Sequence, residues 1–548
     1  MRLAPLALLL ALAAALPAPA GAEDWKAELG PEDDAWKKVE QTFVFNNGAE
    51  PETLDPQIMT GVPEHRLAMA CFEGLVGHHP ETLAPVPGIA ERWTVSPDGL
   101  VYTFHLRRSQ WSDGTPLTAK DFVASWRRVL EPKTAAQYAY QLYPVKGAEA
   151  FNKQGADKPD GSGKHPAADW SSVGVRAPDD HTLVVTLERP CAYFLDLCAF
   201  ETLMPVPMAV VEQHGDRWTR PEHIVCNGPF KPIEWLPNQR VTFAKNPRYW
   251  DAAYVKLEKI VALPYEDMET AYKLFQQGKI DWMDDVPAAK IDECKRLPEF
   301  YVAPYFGSYF YRFNVTKPPF DDVRVRRALA LSIDREVITR DILKAGQVPA
   351  THFVPPLPGY QSPRGLAYDR AAARKLLAEA GYPDGKGFPK VELLYNTLEA
   401  HKLVAENVVQ QWRENLGITV SLRNSEWKVY LNDVQHLQYQ LARAAWIGDY
   451  LDPNTFLDMF VTGGGNNQTG WSNARYDALI AQAAAEVDAK KRAAVLRQAE
   501  ELLVEQELPI IPVYIYVKKG LLADKVAGIH ENVRALHPFQ YIWIEPTD

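Results

Sequence analysis

Arg443 and Asp449 bracket the apolar run Ala444-Ala445-Trp446-Ile447 within QLARAAWIGDYLDPNTFLDMF (440–460). An extended ARAAWIG segment alternates its side chains between two faces and leaves main-chain N–H and C=O groups free to pair with another strand. With a guanidinium toward one end and a carboxylate toward the other, it suits a clamp for an extended peptide with charged termini. The same residues also suit a plainer description, a strand end followed by an Asp452-Pro453-Asn454 turn with Arg443 and Asp449 solvated. The pattern alone leaves both open.

Signatures of catalysis are missing from the sequence. There is no GxSxG, HExxH or GxGxxG, and the nearest phosphate-loop mimic, Gly161 to His165, lacks the first glycine and the hydroxyl that should follow Lys164. Carboxylates are too numerous for counting to decide on an acid pair, which leaves a peptidase as the rival from a different class. The five cysteines are Cys71, Cys191, Cys198, Cys226 and Cys294, with no CxxC among them. The odd count leaves at least one thiol free, and the expected pairing joins Cys191 or Cys198 to Cys226. Five buried, unpaired cysteines fit the sequence equally well.

Helix and strand signals alternate along the chain, which predicts an α/β or α+β protein. Gln41–Asn46, Leu100–Leu106 and His181–Leu187 read as strands. Thr118 is expected to cap a helix over 119–130 with Asp121 near its positive end. Further helices are expected from Asp321 or Asp322 onward, over Asp369–Gly381 with the glycine as C-cap, and twice within Asn473–Gln506. Pro509–Val517 reads as a buried strand, and Gly155–Ser172, rich in Gly, Asp, Lys and Pro, as an exposed insertion.

Composition sets the outer bounds. A chain of 548 residues has room for about three domains. With 47% hydrophobic and 24% charged residues it is an ordinary globular protein, and its 43 prolines and 15 tryptophans supply stiff connections and flat apolar area for a core or a cavity. The formal net charge of −11 disfavours nucleic acid and anionic membrane surfaces as partners. Met1-Arg2, the apolar Leu3–Leu16 and the small residues Ala20-Gly21-Ala22 before Glu23 read as a secretory signal peptide over 1–22. Pro5, Pro17 and Pro19 interrupt a run already shorter than the roughly 20 apolar residues of a membrane span. No cysteine stands at the cut to carry a lipid, so the expected mature chain is a free periplasmic protein, not membrane-anchored.

Five blocks carry a resemblance: WSDGTPLTAKDFVASWRRVLEP (111–132), NGPFKPIEWLPNQRVTFAKNPRYWD (227–251), FNVTKPPFDDVRVRRALALSIDRE (313–336), ARKLLAEAGY (373–382) and ARAAWIGDYLDPNTF (442–456). In order and spacing they resemble the oligopeptide-binding proteins of bacterial ABC importers, which are family 5 extracellular solute-binding proteins. The similarity runs from about Gln41 to the C-terminus. It implies an α/β, two-lobed periplasmic-binding-protein fold of type II with an additional inserted domain. Domain I would comprise 23–72, 208–306 and 518–548, the inserted domain II 73–207, and domain III 307–517. The lobes would close around short peptides by hinge motion, and the monomeric receptor would deliver them to the transmembrane permease subunits. The resemblance implies no enzymatic activity, no cofactor and no metal.

Residue by residue, Asp449 matches the aspartate that pairs with the peptide amino terminus. Arg443 matches an arginine able to meet a carboxylate when the peptide is short. Ala445, Trp446 and Ile447 match the segment whose backbone bonds the extended ligand, and Thr60, Gly61 and Val62 match a strand facing its other edge. Tyr138, Trp427, Trp446 and Tyr516 match aromatic cavity positions that would otherwise be read as core, and His401 matches a histidine near the ligand carboxylate. The chain departs from the pattern where Thr60 and Arg312 replace glutamates and Val434 replaces an arginine. These changes leave peptide length and C-terminal contacts open. So does the rival within the fold, a receptor for dipeptides, cell-wall peptides, haem or metal chelates.

Overall fold

The computed structural model describes residues 24–156 and 163–547. The signal-peptide reading of 1–22 lies outside the described residues, as do 157–162 of the expected insertion, including Gly161 and Ser162. In chain order the strands that position the site are β1 (Thr42–Asn46), β2 (Ala90–Val95), β3 (Val101–Leu106), β4 (Val175–Asp179), β5 (Thr182–Thr186), β6 (Phe230–Leu236), β7 (Arg240–Lys245), β8 (Lys259–Leu263), β9 (Trp282–Met283), β10 (Phe300–Phe313), β11 (Val391–Asn396), β12 (Val420–Ser425), β13 (Leu441–Ile447) and β14 (Ile510–Leu522). The helices are α1 (Val62–Cys71), α2 (Ala119–Leu130), α3 (Val323–Leu331), α4 (Arg370–Glu379), α5 (Glu399–Leu416), α6 (Trp427–Gln435), α7 (Ala474–Ala485) and α8 (Ala489–Glu501).

One mixed sheet runs β6-β7-β8-β1-β9-β14-β10-β13-β11-β12, with the short Val348–Pro349 strand beside β14. Its middle members β10 and β14 are antiparallel partners along most of their length. The N-terminal end of β10 meets the C-terminal end of β14, whose Leu521 and Leu522 pair with β9; at the other ends β10 pairs with β13. The pair therefore spans both halves of the molecule, and its register shifts between Pro304 and Ser308. A separate antiparallel sheet, β2-β3-β5-β4, packs against α2.

Local sequence explains the elements. Along α2, Ala119, Phe122, Ser125, Trp126 and Val129 are buried at helical spacing, and the Asp121 carboxylate accepts from the Thr118 N–H at 2.7 Å and hydroxyl at 3.0 Å. Asp322 and Asp369 cap α3 and α4, and α4 stops just before Gly381 at φ +98. Residues 306–313 of β10 are buried without alternation, because one face meets α5 through Tyr309, Tyr311 and Trp412 while the other meets Phe353, Phe456 and Phe460. The last strand is longer than its apolar run: Lys518, Lys519 and Gly520 leave the aliphatic core and continue toward the β1 half of the sheet.

Two expectations are corrected. Thr60-Gly61-Val62 forms no strand: Thr60 is loop, Gly61 is the extended N-cap residue, and Val62 opens α1, where Pro63 and Glu64 supply a helix start. No disulfide joins Cys191 or Cys198 to Cys226, since all five cysteines are free and buried. Cys226 faces Cys71 instead, and the Gly228 amide donates to the Cys71 carbonyl at 2.8 Å.

Candidate ligand-binding site

Strand β13 is paired along its whole length on one side only. Gly307–Phe313 of β10 run antiparallel to it, from Gly307 opposite Ile447 to Phe313 opposite Leu441. On the other side β11 pairs only with Leu441 and Ala442. From Arg443 onward that second edge borders a cavity of about 350 Å³ between the two halves of the molecule. Ala445, Trp446 and Ile447 line it.

At one end of this edge sits Arg443, 7% exposed. Its Nη1 donates to Asn396 Oδ1 at 3.1 Å and its Nη2 to the Tyr516 hydroxyl at 2.6 Å, while the guanidinium lies 5.0 Å from the Tyr309 ring centroid. Nε has no protein partner. His401, on the first turn of α5, is buried 5.6 Å from the Tyr309 ring. Burial first, then Arg443 and Lys519, hold the imidazole well below its ordinary range, so it is neutral at physiological pH.

The opposite end is acidic. Asp449 is 7% exposed, accepts from Gln141 Nε2 at 3.1 Å, and donates its own N–H to the Thr455 hydroxyl oxygen at 3.0 Å. Burial and the nearby Glu201 push its carboxyl well above the usual range, against the pull of Arg534. Glu201 meets His65 Nδ1 at 2.6 Å. Gly448 must be glycine here, because a Cβ would fall 2.3 Å from the Phe306 ring.

The walls come from both halves. Tyr138 lies between Trp446, at 5.9 Å, and Phe200, at 5.1 Å. Trp427 opens α6, stacks on Tyr430 at 5.6 Å, and donates Nε1 to Glu64 of α1 at 3.2 Å. Gly61 lets the indole approach, since a Cβ there would meet Trp427 at 2.8 Å. All twelve residues singled out from sequence therefore line one cavity, Thr60, Gly61 and Val62 as loop and helix start. Among the described residues no three His, Cys, Asp or Glu side chains are gathered as metal ligands.

The signature of the bacterial extracellular solute-binding proteins, family 5, middle region, matches residues 84–468. The chain belongs to this family. Over 504 residues, 89% of each chain, this family 5 member is 38% identical to the periplasmic oligopeptide-binding protein OppA of Salmonella typhimurium. It superposes on Haemophilus influenzae OppA in complex with RPPGFSPFR at a TM-score of 0.86, with 35% identity, covering 92% of this chain and 99% of that one. The murein tripeptide binding protein MppA of Escherichia coli fits as well, at 0.86 and 35% identity over 93% and 99% of the two chains. Against the unliganded open form of MppA the TM-score falls to 0.60 at the same identity, over 92% and 97%. The lobes of this family 5 protein are thus drawn together, as the Glu64–Trp427 and Gln141–Asp449 contacts require.

Several groups in the cavity or, like Glu64, buried just behind its wall are not legible as such in the sequence. Asp284 holds both Arg66 and Lys518, the latter at 2.8 Å, and Asp285 holds Lys519 at 2.5 Å. Glu64 follows Val62-Pro63 and reads in sequence as an ordinary first-turn acid. Only the fold turns it toward Trp427.

Proposed function

We propose that this chain captures short peptides between its lobes and delivers them to the permease of an ABC importer, acting as a monomer in the periplasm after removal of residues 1–22. The observation that carries this reading is the open edge of β13 along the cavity, with Asp449 at one end and Arg443 at the other. An extended peptide would add to that edge through main-chain hydrogen bonds, its ammonium at Asp449 and, when short, its carboxylate at Arg443 beside neutral His401. Main-chain pairing is indifferent to sequence, and water in the side pockets accommodates different side chains, so specificity would be broad. In this reading domain I is 23–72, 208–306 and 518–548, domain II is 73–207, and domain III is 307–517. Strands β10 and β14 are the hinge.

The test strips bound solutes by unfolding, refolds the protein, and titrates it with tripeptides and tetrapeptides by calorimetry while following tryptophan fluorescence. Saturable heat with recovery of intact peptide is expected. No response across a mixed peptide library would sink peptide capture, and cleaved product would establish a peptidase instead.

A further inference from the structure

Arg312 is the last residue but one of β10, opposite Ala442 of β13, yet is 6% exposed, and it lines the same cavity. Among the described residues no carboxylate lies within salt-bridge distance of it. Its surroundings are neutral: Nη1 donates to the Gln468 side chain, the guanidinium lies 5.6 Å from the Phe310 ring, and the Tyr439 hydroxyl is spent on the Gln468 carbonyl. Nε has no partner. Of the other cavity cations, Arg66 and Lys518 share Asp284, Lys519 has Asp285, and Arg534 donates Nε to the Gly448 carbonyl at 3.1 Å beside the acidic end of the cavity, where Asp449 and Glu201 face it. Arg443 is the group offered to a peptide carboxylate.

A buried, unpaired guanidinium is costly unless a counter-anion arrives. Trp446 projects from the same face of the ladder as Arg312, because Ser308 opposes Trp446 and Arg312 opposes Ala442, with only the small Ala442 and Ala444 on that face of β13 between them. Its Nε1 is a second buried donor without a partner. Gln468 Nε2 in turn donates to Gln137 on the opposite lobe at 3.0 Å, so this pocket is completed by closure.

We infer that Arg312 is a specificity-determining residue that receives an acidic side chain of the bound peptide, so that the preferred substrates are short peptides containing Glu or Asp. This rests on the peptide-capture reading. The experiment scans Glu, Gln and Lys through each position of tetraalanine and measures Kd by calorimetry on stripped protein. At one position Glu should bind roughly tenfold to a hundredfold more tightly than Gln, the range for hydrogen bonds to charged groups, and Lys more weakly still. In Arg312→Gln that Glu-to-Gln ratio should collapse toward one, and in Arg312→Glu the preference should invert toward Lys. Arg312→Lys keeps the charge without the fork and should retain a smaller Glu preference. If tetraalanine itself gives no heat with wild type, peptide capture and this inference both fail. If tetraalanine binds but no position prefers Glu, or the preference survives in Arg312→Gln, Arg312 is not the determinant.

Discussion

Trp427 and Glu64 lie 363 residues apart on opposite lobes, and the Trp427 indole donates to the Glu64 carboxyl at 3.2 Å. The same oxygen accepts from the Glu52 amide at 2.7 Å, while Oε2 is buried without a partner. Burial outweighs these bonds and raises the carboxyl to about 7. Glu64 is therefore a protonated acid over much of the acidic range, and its proton belongs to the closed, folded state.

The sign of the pH effect follows. Below about 4.5, the ordinary glutamate value, Glu64 is protonated whether buried or solvated and contributes no pH dependence. Between there and 7 the folded state holds the proton more tightly than the unfolded chain, so stability declines as pH rises, by about 3 kcal/mol for this one group, and levels off above 7. Glu64→Gln keeps the acceptor and cannot ionise. Urea unfolding at a fixed saturating peptide concentration, at pH 5 and pH 7.5, should show a smaller fall in the variant than in wild type. Identical falls would remove Glu64 as the group responsible.

The thiols make a second prediction. Burial raises Cys71, Cys198 and Cys294 above the ordinary thiol range and pushes Cys191 up to about 12, which leaves almost no thiolate to react. Iodoacetamide should modify none of the five cysteines in the folded protein and all five after unfolding without reductant. Recovery of a Cys191–Cys226 or Cys198–Cys226 peptide would restore the pairing that the fold contradicts.

Gly448 supplies a third. Its N–H donates to the Phe306 carbonyl at 2.8 Å, its carbonyl accepts from Arg534 at 3.1 Å, and it directly precedes Asp449. The Phe306 ring that a Cβ would strike is buried against Phe456 at 4.9 Å and has little room to retreat. Gly448→Ala should cost about 1 to 3 kcal/mol in stability by overpacking, and it should weaken peptide binding by displacing Asp449. Wild-type unfolding midpoint and affinity together would show that the ring yields freely.

What the sequence disclosed depended on the range of the interaction involved. Thr118, Asp322 and Asp369 cap their own helices within three residues, and the α2 stripe closes on itself, so local pattern sufficed. The Arg443 to Asp449 frame is legible because it spans one strand and the two residues that follow it. Thr60 to Val62 departs from the strand that the resemblance implies because Pro63 and Glu64 start a helix there. The Glu64–Trp427, Gln141–Asp449 and Arg66–Asp284 contacts join residues hundreds of positions apart, and Cys71 meets Cys226 where the chain packs closely around Gly228. Nothing in a local window encodes such pairs.

The amino-terminal clamp is tested through Asp449. With Glu201 beside it and little solvent, its carboxyl is raised well above the usual range, and an incoming ammonium would pull it back toward the ionised form. Binding of a free-amine tripeptide should therefore release protons at pH values between the ordinary carboxylate range and the raised one, seen as calorimetric heats that differ between buffers of unlike ionisation enthalpy. In Asp449→Asn the buffer dependence should vanish. Affinity should fall by a factor on the order of a hundred or more, since losing one member of a buried charge pair costs about 3 to 5 kcal/mol. The same tripeptide acetylated at its amino terminus should bind wild type poorly and lose far less on going to the variant. Those four titrations close a double cycle, and equal losses for the two peptides would show that Asp449 does not read the amino terminus.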